Sequence, residues 1–269
     1  MTQDLPTYAQ IRVFTGPQAL GNTSAVLFLE EEWNVRHRQL LARELGQPAT
    51  TYIWPTGPGT YGIRWHAPDA EIDLCGHGAA AAMAFLSKLK GEKNTHLQYR
   101  HGAIEGKVDA DREVISLEAI DALPEADPPQ GLEKALGAKI QGYFPTADKH
   151  IVLLESAEIV RDLKPHFAKL AELEPFGYAV TAQGDQEDFV SRTLVPKVQQ
   201  LEDHATGSSH AALMPFWSKR LGQRQLSARQ LSPRGGYFRG SVEAGKVRLN
   251  SKSQILIQGQ WQGFPQELE

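Results

Sequence analysis

Asp73-Leu74-Cys75-Gly76-His77-Gly78 runs directly into Ala79-Ala80-Ala81-Ala82-Met83-Ala84-Phe85, a glycine turn followed by a strong helix former. Alanine loses no side-chain rotamers on ordering, so the run predicts a helix. The alternating segment 61–66 ahead of it predicts a strand. The unit reads strand, glycine turn, helix, and it sets Cys75, Gly76 and His77 at a helix N-terminus. Free N–H groups and the helix macrodipole favour an anion there.

The unit recurs. Displaced by 131 positions, so that Gly76 falls on Gly207 and Gly91 on Gly222, the chain matches itself without a gap. The shared residues are Glu71/Glu202, Ala80/Ala211, Ala81/Ala212, Met83/Met214, Phe85/Phe216, Ser87/Ser218 and Lys88/Lys219. Alanine-rich helices resemble each other by composition, but the end glycines and the shared Ser-Lys do not follow from that. The pattern predicts a duplicated domain. Two like domains facing each other would direct two helix N-termini at one cleft, a place to hold a carboxylate. In the second turn Thr206 stands for Cys75 and Ser208 for His77, with Asp203 and His204 just before and His210 just after.

Along the chain, strands are expected at 8–14, 24–29, 50–54 and 61–65, with a helix over 33–45 ended by Gly46. Segments 95–100, 103–108 and 114–117 read as a meander. The proline-bearing 119–130 reads as a linker between a first domain, 1–118, and a second, 131–253. The C-terminal strand, about 254–269, is expected to complete the first domain. In the second, a short helix at 132–136, a strand at 149–154 and a helix over 158–173 broken at Pro165 lead to strands at 178–181 and 188–194. A helix over 211–221 and strands at 230–231, 240–249 and 255–261 follow.

The 269 residues suffice for two domains, and the formal net charge of −4 gives no basic footprint for nucleic acid. One cysteine excludes an intrachain disulfide and any multi-cysteine zinc site, and it suits a reducing, cytoplasmic compartment. The first residues carry no basic-then-apolar leader, and no apolar run is long enough to span a membrane. His66, His204 and His210 have no ligand spacing, so no metal site is expected. Assembly as a homodimer is left open.

Several stretches taken together resemble the phenazine-biosynthesis (PhzF-like) isomerase family. They are Gly21-Asn22 with its Ala-Val strand, Leu74-Cys75-Gly76-His77, Arg192 with Pro196, Glu202-Asp203-x-x-Thr206-Gly207-Ser208, and Ala228-Arg229-Gln230 leading to Arg234-Gly235-Gly236. The resemblance runs from about residue 8 to residue 259. It implies an α+β, diaminopimelate-epimerase-like fold of two pseudo-symmetric domains. Each is a curved, mostly antiparallel, barrel-like sheet around a central helix. It further implies proton transfer on a small carboxylic acid in the interdomain cleft, without a cofactor. His77 and Asp203 match the family's proton-handling residues. Its glutamate does not: Ala49 stands in that place, within Gln47-Pro48-Ala49-Thr50-Thr51.

Cys75 is the candidate to replace that base, since a thiol at a helix N-terminus ionises more readily than a free one. With Thr206 opposite it in the repeat, symmetric two-thiol racemisation is not expected. Gly76, Gly78, Gly207, Ser208 and Ser209 are expected to offer N–H groups to the carboxylate, with Thr206 and the serine hydroxyls assisting and Asn22 orienting the substrate. The rival reading is a family member that lost catalysis with the glutamate and binds a small acid or a protein partner.

Overall fold

The computed structural model describes residues 5–109 and 112–263, and the outermost parts of the expected first domain, 1–4 and 264–269, lie outside them. The described chain divides into two units. One takes in the residues up to Val13, Asn22–Ile115 and those from Ser251 onward; the other takes in Phe14–Gly21 and Ser116–Asn250.

In the first unit β1 (Thr7–Val13) pairs antiparallel with β2 (Asn22–Phe28). Helix α1 (Val35–Leu45) then leads to β3 (Ala49–Gly57), parallel to β2, and β4 (Thr60–His66) turns back antiparallel on β3. Strand β4 carries the two-residue β5 (Glu71–Ile72) antiparallel near its end and β6 (Asn94–Tyr99) parallel at its start. Between β5 and β6 runs α2 (Gly76–Lys90), and β7 (Gly102–Asp109) pairs antiparallel with β6. Helix α2 packs on β1, β2, β3 and β7, and every residue from Gly76 to Leu86 is buried. That burial on all sides explains the unbroken alanine run, since a helix with no solvent face needs small apolar residues all round. Strand β8 (Arg112–Glu118) follows β7 in the chain.

The second unit repeats this connectivity strand for strand. After α3 (Leu132–Leu136), β9 (Gly142–Phe144) is antiparallel to β10 (His150–Leu153). Helices α4 (Ala157–Asp162) and α5 (Phe167–Ala171) lead to β11 (Tyr178–Gln183), parallel to β10, and β12 (Phe189–Val195) is antiparallel to β11. Strand β12 carries β13 (Leu201–Asp203) antiparallel and β14 (Gln225–Gln230) parallel, with α6 (Gly207–Leu221) between them. Strands β15 (Gly236–Glu243) and β16 (Lys246–Ser251) complete it as a hairpin. The last strand, β17 (Gln254–Gln260), returns to β1 in the first unit. The fold is α+β, a mostly antiparallel sheet with a buried helix occurring twice.

The strand registers pair positions between the halves. Trp65 opposes Ile72 and Thr51, as Thr193 opposes Asp203 and Ala179. Carried one strand further, Ala49 corresponds to Gly177 and Ser24 to Lys149.

Several sequence expectations differ from the structure, among them the helix expected from 211, which begins at Gly207, and the strand expected at 230–231, which is β14 over Gln225–Gln230. The single strand over 240–249 is a hairpin, because Ala244 (φ 48°) and Gly245 (φ 76°) form a tight turn. The helix over 158–173 breaks at Pro165 as expected, into α4 and α5. Segment 119–130 runs with the second unit through backbone hydrogen bonds, including Ile120 N–H to Ala211 O (3.0 Å). That bond answers a local need. Pro215 inside α6 has no N–H to give the carbonyl four residues back, and Ile120 supplies the donor. Residues 14–21 also go with the second unit: Leu20 and Gly21 donate to the carbonyls of Arg234 and Gly235 (both 2.8 Å).

Candidate functional site

Cys75 is the N-cap of α2 in extended backbone geometry, and its sulfur accepts the Gly78 N–H at 3.3 Å. The sulfur thus takes the place a serine or aspartate oxygen usually holds at a helix start. His77 lies on the same turn, its Nδ1 3.5 Å and its Nε2 3.7 Å from Cys75 Sγ. Both side chains are buried, at 4% and 5% exposure. A thiol and an imidazole are therefore in contact at a helix N-terminus, an arrangement that can pass a proton between them.

Gly78 is committed twice in this turn. Its N–H is bound to the sulfur, and its Cα packs so closely on Trp65 that a Cβ would stand 2.4 Å from Trp65 Cδ1 and 2.8 Å from Thr51 Oγ1. Gly76 is buried as the first residue of the helix. Ala49 opens β3 with a fully buried methyl, and its carbonyl accepts the Ser24 hydroxyl (2.9 Å), which also meets Thr51 Oγ1 (2.7 Å). Nothing ionisable occupies that position. Asn22 is fully buried at the start of β2, its Oδ1 accepting the Thr23 N–H (3.0 Å).

His66 belongs elsewhere. It points toward α1, where Arg38 Nε donates to its Nε2 (3.1 Å) and Gln39 Oε1 meets its Nδ1 (2.9 Å). Burial first, then the Arg38 charge, push its pKa down to about 4, so it is a neutral acceptor holding a buried arginine.

The second turn is built differently. Thr206 caps α6 without a side-chain bond to the helix; its hydroxyl donates to Asp203 Oδ2 at 2.7 Å. Asp203 Oδ1 accepts the His204 N–H (2.9 Å). Gln230, fully buried, clasps the turn: its Oε1 accepts the Thr206 N–H (2.8 Å) and its Nε2 donates to the Asp203 carbonyl (2.6 Å). Gly207 is the first residue of α6, the counterpart of Gly76. Ser208 Oγ accepts from Lys149 Nζ (3.1 Å), whereas Ser209 Oγ is turned to Thr193 Oγ1 (3.1 Å).

His210 is a core residue. Its ring stacks on Phe238 at 3.5 Å, its Nδ1 meets the Thr206 carbonyl (2.8 Å), and burial lowers its pKa to about 4. For His204 too, burial dominates and lowers the pKa. Two residues of this turn escape sequence reasoning, Gln230 and Lys149. Gln230 lies in a quoted motif, but its clasp depends on a partner 24 residues away. Among the described residues no cluster of three or more His, Cys, Asp or Glu could hold a metal ion, and no helix is long and apolar enough to cross a membrane.

The family model described as "Phenazine biosynthesis-like protein" matches residues 11–261. An uncharacterized isomerase of Pseudomonas aeruginosa is 34% identical over 254 residues, covering 94% of this chain and 97% of its own. The crystal structure of a PhzF-family phenazine biosynthesis protein from Enterococcus faecalis superposes with a TM-score of 0.88 at 32% identity, covering 96% of this chain and 99% of that one. A hydroxyproline epimerase from Agrobacterium vitis shares the fold at a TM-score of 0.64 and 9% identity, over 96% and 93% of the two chains. With glycine turns, duplicated topology and relatives matched over nearly their whole length agreeing, the chain belongs to the PhzC-PhzF family of phenazine biosynthesis-like proteins.

Proposed function

We propose that this chain is an isomerase that moves a proton on a small carboxylic acid without a cofactor, with Cys75 and His77 as its proton-transferring pair. The observation that carries the reading is the 3.5 Å approach of Cys75 Sγ to His77 Nδ1 at the start of α2. It sits in a chain whose expected carboxylate position is the methyl of Ala49. The helix N-terminus and the Gly78 N–H favour negative charge on sulfur, and the imidazole can hold the thiol proton.

The steps balance. The thiolate takes the proton from the carbon beside the carboxylate, and the electron pair left behind delocalises into the conjugated system. The His77 imidazolium then delivers its proton to the carbon where the pair settles. Transfer of the Sγ proton back to the imidazole restores the pair. In this reading the second turn, which Asp203 and Thr206 hold in shape, offers Gly207 and Ser208 to a carboxylate, and at the first turn Asn22 and Gly76 orient the substrate.

The test is incorporation of solvent deuterium into a panel of small amino and hydroxy acids, followed by NMR. Exchange with the parent protein that drops at least a hundredfold in Cys75→Ala and His77→Ala supports the reading, a loss of the size expected on removing an acid–base group. Ala49 also favours a second reading, a binding protein without turnover. Ligand binding with no exchange on any acid would select it.

A further inference from the structure

We propose that Lys149 is a specificity-determining residue that pairs with the carboxylate of the substrate at the second turn. The inference rests on the proposed function and adds an ammonium to a site otherwise built of backbone N–H groups and hydroxyls. Lys149 sits just ahead of β10 with its side chain only 9% exposed. Its Nζ donates to Ser208 Oγ (3.1 Å), on the first turn of α6, and to Asp148 Oδ2 (2.6 Å). Phe176 lies alongside, 5.9 Å from ring centre to Nζ.

The strand registers explain how a long side chain fits there. Lys149 occupies the place that Ser24 holds in the first unit, and Gly177 the place of Ala49. A Cβ on Gly177 would stand 2.7 Å from the Leu194 carbonyl oxygen and 3.3 Å from Lys149 Cγ, so the close backbone requires the glycine, and the lysine stem lies against it. Its end is set against a helix terminus that is itself positive. Thr206 gives that terminus no side-chain cap. Burying one positive group against another is unfavourable unless an anion joins them. Asp148 offsets part of this, from a side chain 28% exposed. Of the three N–H groups of an ammonium, these two bonds use two. The geometry suits a carboxylate that bridges the ammonium and the first N–H groups of α6.

The test is calorimetric titration of the full chain with acetate, pyruvate and succinate, beside the deuterium-exchange assay. At least one acid should bind the parent protein, and Lys149→Met, which keeps the stem, should weaken binding roughly tenfold or more, the worth of a charge-assisted hydrogen bond. Asp148→Asn, which removes a competing carboxylate, should tighten it. Unchanged affinity in Lys149→Met, no tightening in Asp148→Asn, or no binding of any of the three acids overturns the inference. If Lys149→Met does not fold, Asp148→Asn decides alone. Lys149-dependent binding without exchange would sink the isomerase reading and leave this inference standing. Exchange with an unchanged KM in Lys149→Met would do the reverse.

Discussion

Replacing Gly78 with alanine should destabilise the first unit, although alanine is the better helix former. The new Cβ would stand 2.4 Å from Trp65 Cδ1, 2.6 Å from Trp65 Nε1 and 2.8 Å from Thr51 Oγ1. Trp65 is 1% exposed and Thr51 fully buried, so neither can swing into solvent. Overpacking of this kind costs about 1–3 kcal/mol, and the gain in helix propensity returns at most about 1 kcal/mol. A net loss of about 1–2 kcal/mol lowers the melting point by roughly 2–8 °C in a chain of this size. Gly91→Ala is the control. That glycine has φ 77° and nothing within 4 Å, so its cost of about 1 kcal/mol comes from backbone strain alone. Urea and thermal unfolding followed by far-UV circular dichroism would measure both, in the parent and in a Trp65→Ala background. Gly78→Ala should cost less in that background by about 1 kcal/mol, while Gly91→Ala should cost the same in each. A Gly78→Ala protein as stable as the parent, or equally destabilised in both backgrounds, refutes the close approach of Trp65 to the turn.

Stability should depend on two buried histidines. His66 and His210 both titrate near 4 in the folded chain, against 6.5 for an ordinary histidine, so the unfolded chain binds more protons between these values. Their contribution is complete above about pH 6.5 and is lost as the pH falls toward 4. His66→Gln, which can still accept from Arg38, should flatten the urea midpoint across that window; an unaltered slope counts against the assignment. Glu202→Gln breaks a two-bond pair with Arg192 (2.7 Å each), between side chains only 10% exposed. It should cost about 3–5 kcal/mol by stranding the guanidinium, and Arg192→Met with Glu202→Leu should recover part of it in a double-mutant cycle. Cys75→Ser keeps a capping atom but loses the easily ionised sulfur. It should melt within a few degrees of the parent while proton exchange falls by about a hundredfold.

Much of the architecture could be read locally. The helices over 76–90 and 207–221 announce themselves through glycines at both ends and small apolar residues between, signals that act within one turn. The contact of Cys75 with His77 follows from their adjacency at a helix start. What escaped depends on distant partners. The two- and three-residue strands β5 and β13 exist only because β4 and β12 pair with them. The prolines of 119–130 suggest a free linker, but Pro215 leaves a carbonyl that draws Ile120 onto α6. Segment 14–21 joins the second unit through bonds to residues 234 and 235, more than 200 positions away. Lys149 looks like any surface lysine until the register sets it over Gly177 and against Ser208.

The contrast between Trp65 over Gly78 and Thr193 over Ser209 bears on how the halves came to differ. After a duplication, reverting one half toward the other needs two replacements. Either order passes through a poor intermediate: a serine driven into an indole, or a hole where the indole had been. Such a pair behaves as a ratchet. With the indole in place the first turn can carry no side chain at that position, so in the proposed function its chemistry falls to Cys75 and His77. The second turn was free to keep a hydroxyl there and to recruit a lysine beside it. Neither turn can take up the other's residue at that position by a single replacement.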